Sequence, residues 1–110
     1  MKATPRQQSA ARCDAALAHA FSFLGKRWNG LILGSLSHGP AGFAELSRAI
    51  DGIGDSMLSQ RLTELAEARL VTRTVEDGPP ITVRYELTES GTALIPALEA
   101  LMSWSRDHMG

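Results

Sequence analysis

The sequence holds a single cysteine, Cys13, and no long apolar run. One thiol cannot close an internal disulfide, which excludes a secreted cystine framework. No stretch approaches the ~18 consecutive apolar residues of a membrane span. Met1 to Arg12 is polar and lacks the apolar centre of a secretory signal. The expected location is therefore cytoplasmic, with no membrane partner. His19, His38 and His108 are far apart, and none stands at a metal-ligand spacing from Cys13. Neither a metal nor a cofactor is expected. No Ser/His/Asp or Cys/His arrangement has a recognisable spacing, and no glycine loop follows a strand to cradle phosphate, so the chain does not read as an enzyme. Repeats, low-complexity tracts and interior linkers are absent as well.

Excess charge of one sign is also missing. The net charge is −1, which by itself advertises no nucleic-acid partner. Its distribution says more. Up to Ile50, six bases face two acids, giving +4; from Asp51 onward, five bases face ten acids, giving −5. A local basic face fits inside a near-neutral total.

What is present fits one domain of 110 residues, with 44% hydrophobic and 21% charged residues. Residues 1–9 are expected to form a flexible arm and 10–110 a single domain. Leu17, Phe21 and Leu24 recur at helical spacing and predict a helix over 10–24. A second helix is predicted over 28–36, with Trp28, Leu31, Ile32 and Leu36 on one face, despite Gly30 and Gly34. A turn at 37–40 precedes a short helix from Phe43 to Ile50, and a glycine-containing break precedes a stronger one from Asp55 to Ala68. Leu58, Leu62 and Leu65 form the buried stripe of that last helix. Two short helices around a tight turn, over about 43–68, are the mark of a helix-turn-helix. The period then changes to two. Val71 to Val75 and Ile81 to Leu87 flank a Gly-Pro-Pro turn, giving a β-hairpin over about 71–87. Thr88 caps a final helix over about 89–108, where Pro96 marks a kink or an effective start. The fold class is mainly α with a small hairpin wing (α+β): a winged helix-turn-helix.

This arrangement names candidate DNA-binding residues. The second helix of a helix-turn-helix lies in the major groove, so its outward side chains must be short and polar or basic. Ser56, Ser59, Gln60 and Thr63 point away from the leucine stripe. Gln60 has the paired donor and acceptor that read adenine. Arg61, on the flank, suits a phosphate. In the hairpin, Arg73 and Arg84, with Thr82 beside them, suit the backbone or minor groove; cross-strand pairing with Glu76 or Glu86 is the other reading. Lys26, Arg27 and Arg48 are further phosphate candidates. An ordinary solvated face accounts for the same polar residues. The final helix is apolar over a wide arc, and Leu94, Leu98, Leu101, Met102 and Trp104, with Leu17 and Phe21 of the first helix, are candidates for a twofold dimer surface. Completing the monomer core is their alternative use. Cys13, near a helix start, is a candidate thiolate, with Asp14 acting against it.

The ordered motifs resemble HxlR-type regulators, relatives of the MarR-type winged-helix proteins. The resemblance runs from Cys13 to about Trp104 through Leu24-Gly25-Lys26-Arg27-Trp28, Leu31-Ile32-Leu33, Gly39-Pro40, Phe43-Ala44-Glu45-Leu46 and Met57-Leu58-Ser59-Gln60-Arg61-Leu62. It continues through Leu70-Val71-Thr72-Arg73 and Tyr85-Glu86-Leu87-Thr88 with Gly91. It implies a cytoplasmic homodimeric transcription factor, more often a repressor, on a palindromic double-stranded DNA operator. It also implies control by an electrophile or an oxidant, with Cys13 at the position of the sensing cysteine of some members; a small aromatic effector beside Trp28, Phe21 or Trp104 is a separate candidate read from those residues. The chain departs from the family pattern at Gly54, where a serine usually caps the recognition helix, and at Ser56, where a base is common. Ile81-Thr82 replaces a frequent Pro-Arg pair, and Arg84 stands where an acid is frequent. The alternative function is a winged-helix protein–protein module that does not bind DNA.

Overall fold

The change of period near Leu70 becomes a change of architecture in the computed structural model, which describes the backbone of residues 5–110 and side chains from Ala15 onward. The order is α1 (Pro5–Leu24), α2 (Arg27–Leu36), α3 (Phe43–Ala49), α4 (Asp55–Glu67), β1 (Val71–Glu76), β2 (Thr82–Leu87) and α5 (Glu89–His108). Helix α1 starts at Pro5, so the expected arm over 1–9 is already helical from residue 5. Proline suits that first turn, where its missing N–H would have had no partner. Residues 1–4 lie outside the described residues. Helix α5 is continuous from Glu89, so Pro96 does not mark its start. The start is set by Thr88, whose hydroxyl accepts a hydrogen bond from Gly91 N at 3.0 Å.

The core is one layer of leucines and isoleucines between α2, α3 and α4. Ile32, Leu33 and Leu36 come from α2, Leu46 from α3, and Leu58, Leu62 and Leu65 from α4; Ile50, Ile53, Leu70 and Val71 close it. Spacings of three and four along each helix put these residues on one stripe. Full burial of each contributes about 1.5–3 kcal/mol. Leu31, expected on the core face, is instead half exposed, and Leu33 takes the inward place. The buried stripe of α2 is Asn29, Ile32, Leu33 and Leu36.

Helix α4 ends sharply. Arg69 adopts a left-handed φ of 62°. Leu70 N then donates to Leu65 O at 3.0 Å, a Schellman-type closure that turns the chain into β1. Strands β1 and β2 pair antiparallel from Val71–Leu87 to Glu76–Thr82. Ala41 adds a two-hydrogen-bond bridge to Tyr85, with N···O distances of 3.0 and 2.8 Å, which ties the base of the hairpin to the chain just before α3. At that base, the Thr88 hydroxyl donates to Arg69 O at 2.7 Å and Thr88 N donates to Leu70 O at 3.0 Å. The hairpin is therefore anchored at its root and free at its tip. Among the described residues, no helix is long and apolar enough to cross a membrane.

The root leaves no room beside Gly91. A Cβ there would lie 2.2 Å from Leu70 O and 3.2 Å from a Leu87 methyl carbon. The obstacle is backbone, so the strain cannot be relieved by a rotamer change. Gly91→Ala is expected to lower unfolding free energy by about 1–3 kcal/mol, read from urea denaturation; an unchanged midpoint would mean that the root yields.

Candidate nucleic-acid interface

The turn from Ile50 to Gly54 sets the angle between α3 and α4. Gly52 takes a φ of +86°, which favours glycine. Gly54 is the extended N-cap of α4 and offers no side chain to the first-turn N–H groups. Asp55 is the first helical residue. Its carboxylate favours the positive end of the helix dipole and lies 3.5 Å from the Ser47 hydroxyl of α3.

With Leu58, Leu62 and Leu65 buried, Ser56, Ser59, Gln60 and Thr63 are all exposed. The Thr63 hydroxyl donates to Ser59 O at 3.0 Å, folding it back on the helix. Ser59 and Thr63 face Arg73 and Tyr85 of the hairpin across an open cleft of about 480 Å³, also lined by Glu67. Short polar side chains, a guanidinium and a phenol thus line one trough between helix and strands. Tyr85 was not among the expected site residues. Its place in the strand alternation was legible; the cleft that it lines was not.

The two hairpin arginines do not act together. Directly paired residues share a face of a sheet, and successive residues alternate faces. Arg73 pairs with Tyr85 and shares the face of Val71 and Leu87, toward the body of the domain. Arg84 pairs with Thr74 and shares the opposite face with Thr82 and Glu76. Its Nε lies 3.7 Å from Glu76 Oε1, both groups being exposed, so the cross-strand reading fits Arg84. Arg73 alone joins the cleft beside α4.

Three of the expected phosphate contacts are engaged elsewhere. Arg61 is buried, with 8% of its surface exposed, and its Nη1 lies 2.9 Å from Glu64 Oε2. Lys26 Nζ donates to both oxygens of the same carboxylate, at 2.6 and 3.1 Å. The Lys26 hydrogen bond holds the Glu64 carboxyl below its ordinary pKa of 4.5; partial burial opposes this, and the Arg61 charge reinforces it. Arg27 lays its guanidinium over the Trp28 ring, 4.4 Å from the centroid. It lines a separate groove with Leu31, Leu101 and Met102. Arg61, expected on phosphate, pairs with Glu64 three residues on along the same helix, a spacing that could have signalled the pair. Nothing local pointed to Lys26, which is 38 residues from Glu64. Asn29 was missed too. It is buried, its Nδ2 donates to Phe23 O at 2.8 Å, and its Oδ1 has no partner among the described residues.

The apolar arc of α5 divides. Leu94 and Leu98 pack against the core, as the monomer alternative had it. Leu101, Met102 and Trp104 remain about half exposed, like Leu17 and Phe21 of α1. The α2–α5 groove has a volume of about 600 Å³. The Cys13 side chain lies outside the described residues. Among the described residues, no group of three His, Cys, Asp or Glu side chains is placed to hold a metal ion.

A helix-turn-helix whose second helix shows a polar face beside an anchored hairpin defines the winged helix-turn-helix class of transcriptional regulators. The chain belongs to the HxlR-like helix-turn-helix family, whose sequence pattern matches residues 23–110. It is 45% identical over 86 residues to the HTH-type transcriptional regulator YodB of Bacillus subtilis (strain 168), covering 78% of this chain and 77% of YodB. The reduced form of YodB superposes with a TM-score of 0.75 at 38% identity, over 98% of this chain and 96% of YodB. The quinone-bound form gives 0.73 at 41% identity, over 84% and 98%. The oxidised form of the redox regulator HypR gives 0.81 at 27% identity, over 86% and 98%. The protein is thus a transcriptional regulator with a DNA-binding helix-turn-helix, not an enzyme.

Because folding lowers the Glu64 pKa, the stability that its charge contributes is present above 4.5 and is lost as pH falls through the lowered value. The gap in unfolding free energy between wild type and Glu64→Gln should therefore shrink on acidification below pH 4.5. Urea denaturation across pH measures it; a gap that stays constant would contradict the ion-paired carboxylate.

Proposed function

We propose that the protein regulates transcription as a homodimer that reads a palindromic operator with α4. The observation that carries this reading is the exposed polar strip of Ser56, Ser59, Gln60 and Thr63 on a helix whose other side is locked into the core. Arg73 flanks the strip from the hairpin. In this reading Gln60 makes the paired contact to adenine, Ser56 and Ser59 contact base edges or phosphates, and Arg73 holds the backbone. Repression is the favoured sign, because a protein seated on an operator beside a promoter blocks polymerase without further contacts. Leu17, Phe21, Leu101, Met102 and Trp104 supply the apolar surface for the twofold contact. The dimer would set two copies of α4 about one DNA turn apart.

Control by an oxidant or electrophile completes the proposal. It is supported by similarity to a regulator solved with quinone bound and to a redox regulator solved in its oxidised form. Cys13 is the only cysteine available for it. A quinone would add to the thiolate through one new C–S bond, and the ring would take up a proton to become the hydroquinone adduct. A disulfide would have to join two chains or join Cys13 to a small thiol.

Gln60→Ala is expected to weaken binding to a duplex selected by the wild type by about 1–3 kcal/mol and to leave random duplex binding unchanged. Titration of labelled duplexes gives both numbers. Equal losses on both would remove Gln60 as a base reader, and no duplex binding at low salt by an intact dimer would favour the protein–protein module. Alkylating Cys13 should change operator affinity in the wild type and leave Cys13→Ser unaffected. Operator affinity indifferent to alkylation would exclude thiol control.

A further inference from the structure

Both oxygens of Glu64 are occupied from two sides. Lys26 reaches Oε1 at 2.6 Å and Oε2 at 3.1 Å, while Arg61 reaches Oε2 at 2.9 Å. Lys26 is the N-cap of α2 and sits in the elbow between α1 and α2. That elbow is itself fixed. Gly25 N donates to Phe21 O at 2.9 Å, and Asn29 Nδ2 donates to Phe23 O at 2.8 Å. A Cβ on Gly25 would meet Phe21 O at 2.5 Å, so the elbow takes no side chain at that point. The far end of the Lys26–Glu64 contact is therefore a rigid anchor. The near end lies on α4, one turn beyond Gln60.

Arg61 makes the arrangement necessary. Its guanidinium is buried, and its Nε has no partner among the described residues. Glu64 is the counter-ion within reach. If the Glu64 charge is removed, a buried cation is left uncompensated, and α4 must shift or roll to hydrate it. Gln60 precedes Arg61 directly, so such a movement turns the amide that faces the bases. Base contacts need placement within about half an ångström, and a small roll is enough to break a paired contact.

We propose that Glu64 is a positioning residue of the recognition helix. With Lys26 and Arg61 it forms a joint tying α4 to the α1–α2 elbow, and Lys26 acts on DNA affinity through this joint rather than by touching phosphate. The proposal rests on the DNA-binding reading above and reassigns two of the cations that charge alone would place on the backbone. It also gives α1 a defined mechanical route to the DNA face: Phe23 O to Asn29, and Lys26 to Glu64 and Arg61.

The test uses the full chain as wild type, Lys26→Met, Glu64→Gln, the double variant and Lys26→Arg. Each is titrated against a duplex enriched by the wild type from a random pool, and against random duplex, over a range of salt. A joint predicts that each single variant loses about tenfold on the enriched duplex and that the double loses no more than the worse single. Random-duplex affinity and the salt slope stay unchanged, and Lys26→Arg recovers the enriched-duplex affinity. Amide exchange over residues 61–67 of the free protein rises in Glu64→Gln. If Lys26→Met weakens both duplexes alike and lowers the salt slope by about one while Glu64→Gln binds normally, Lys26 is a phosphate contact and the joint is refuted. Wild-type affinity in all variants refutes it as well. A wild type that enriches no duplex overturns the DNA reading itself, whatever the exchange data show. Lys26 is half exposed, so Lys26→Met keeps the test open should Glu64→Gln fail to fold.

Discussion

Burial of Leu58, Leu62 and Leu65 against α2 is the constraint on which the other features depend. Those residues fix the rotation of α4 about its axis, since moving the stripe would expose three leucines to water. Each leucine exposed would cost on the order of 2 kcal/mol. Once the stripe is inside, Ser56, Ser59, Gln60 and Thr63 have nowhere to face but outward. The hairpin is placed by the same core: Leu70 and Val71 are buried in it, so β1 leaves α4 at a fixed point, and Ala41 and Thr88 hold its root. The polar trough between α4 and β1 is thus a by-product of where the apolar atoms go.

Charge follows a different logic from the one composition suggests. A net charge of −1 and an acidic second half leave little long-range attraction for DNA. The structure thins the supply of free cations further. Lys26 and Arg61 neutralise Glu64, Arg27 stacks on Trp28, and Arg84 faces Glu76. Arg73 remains in the cleft. Cations engaged in this way add little to counterion release, which is the sequence-independent part of DNA affinity. Discrimination must then come from geometry at the bases, and geometry needs a recognition helix held still. Spending two basic residues on one carboxylate serves that requirement better than placing them on phosphates.

Patterns that depend on one element alone were legible in the sequence. The period of 3.6 in Leu58-Leu62-Leu65, the period of two after Leu70, and the Thr88 cap each report a local rule, and each reappears in the coordinates. What escaped were facts about two elements at once. The Lys26–Glu64 contact joins α2 to α4 across 38 residues, and no spacing rule reaches that far. Arg73 and Arg84 looked equivalent until the register set them on opposite faces. Leu94 and Leu98 belong to the same apolar arc as Leu101 and Met102, yet only the first pair meets the core. The start of α1 was misplaced because a proline and polar residues resemble a tail, whereas proline in a first helical turn breaks no hydrogen bond.

The exposed apolar residues bear on why a reader of this kind should work in pairs. One α4 offers a few short polar side chains, each good base contact being worth about 1–3 kcal/mol, with little electrostatic assistance. Under the proposed function a single copy would bind weakly and discriminate poorly. Under the proposed function, two copies joined through α1 and α5 would meet the second half-site at the high effective concentration of a tethered partner, so that the two modest affinities would multiply. Under the proposed function the geometry between the two α4 helices then controls occupancy, because a half-site that is out of reach forfeits the whole gain. Helix α1 is placed to set that geometry twice over. It carries the exposed Leu17 and Phe21 of the proposed twofold contact, and its last turn is pinned by Asn29 beside the elbow that anchors α4. Under the proposed function, a chemical change on α1, where Cys13 lies, would release DNA without touching it, by changing the angle of this one helix.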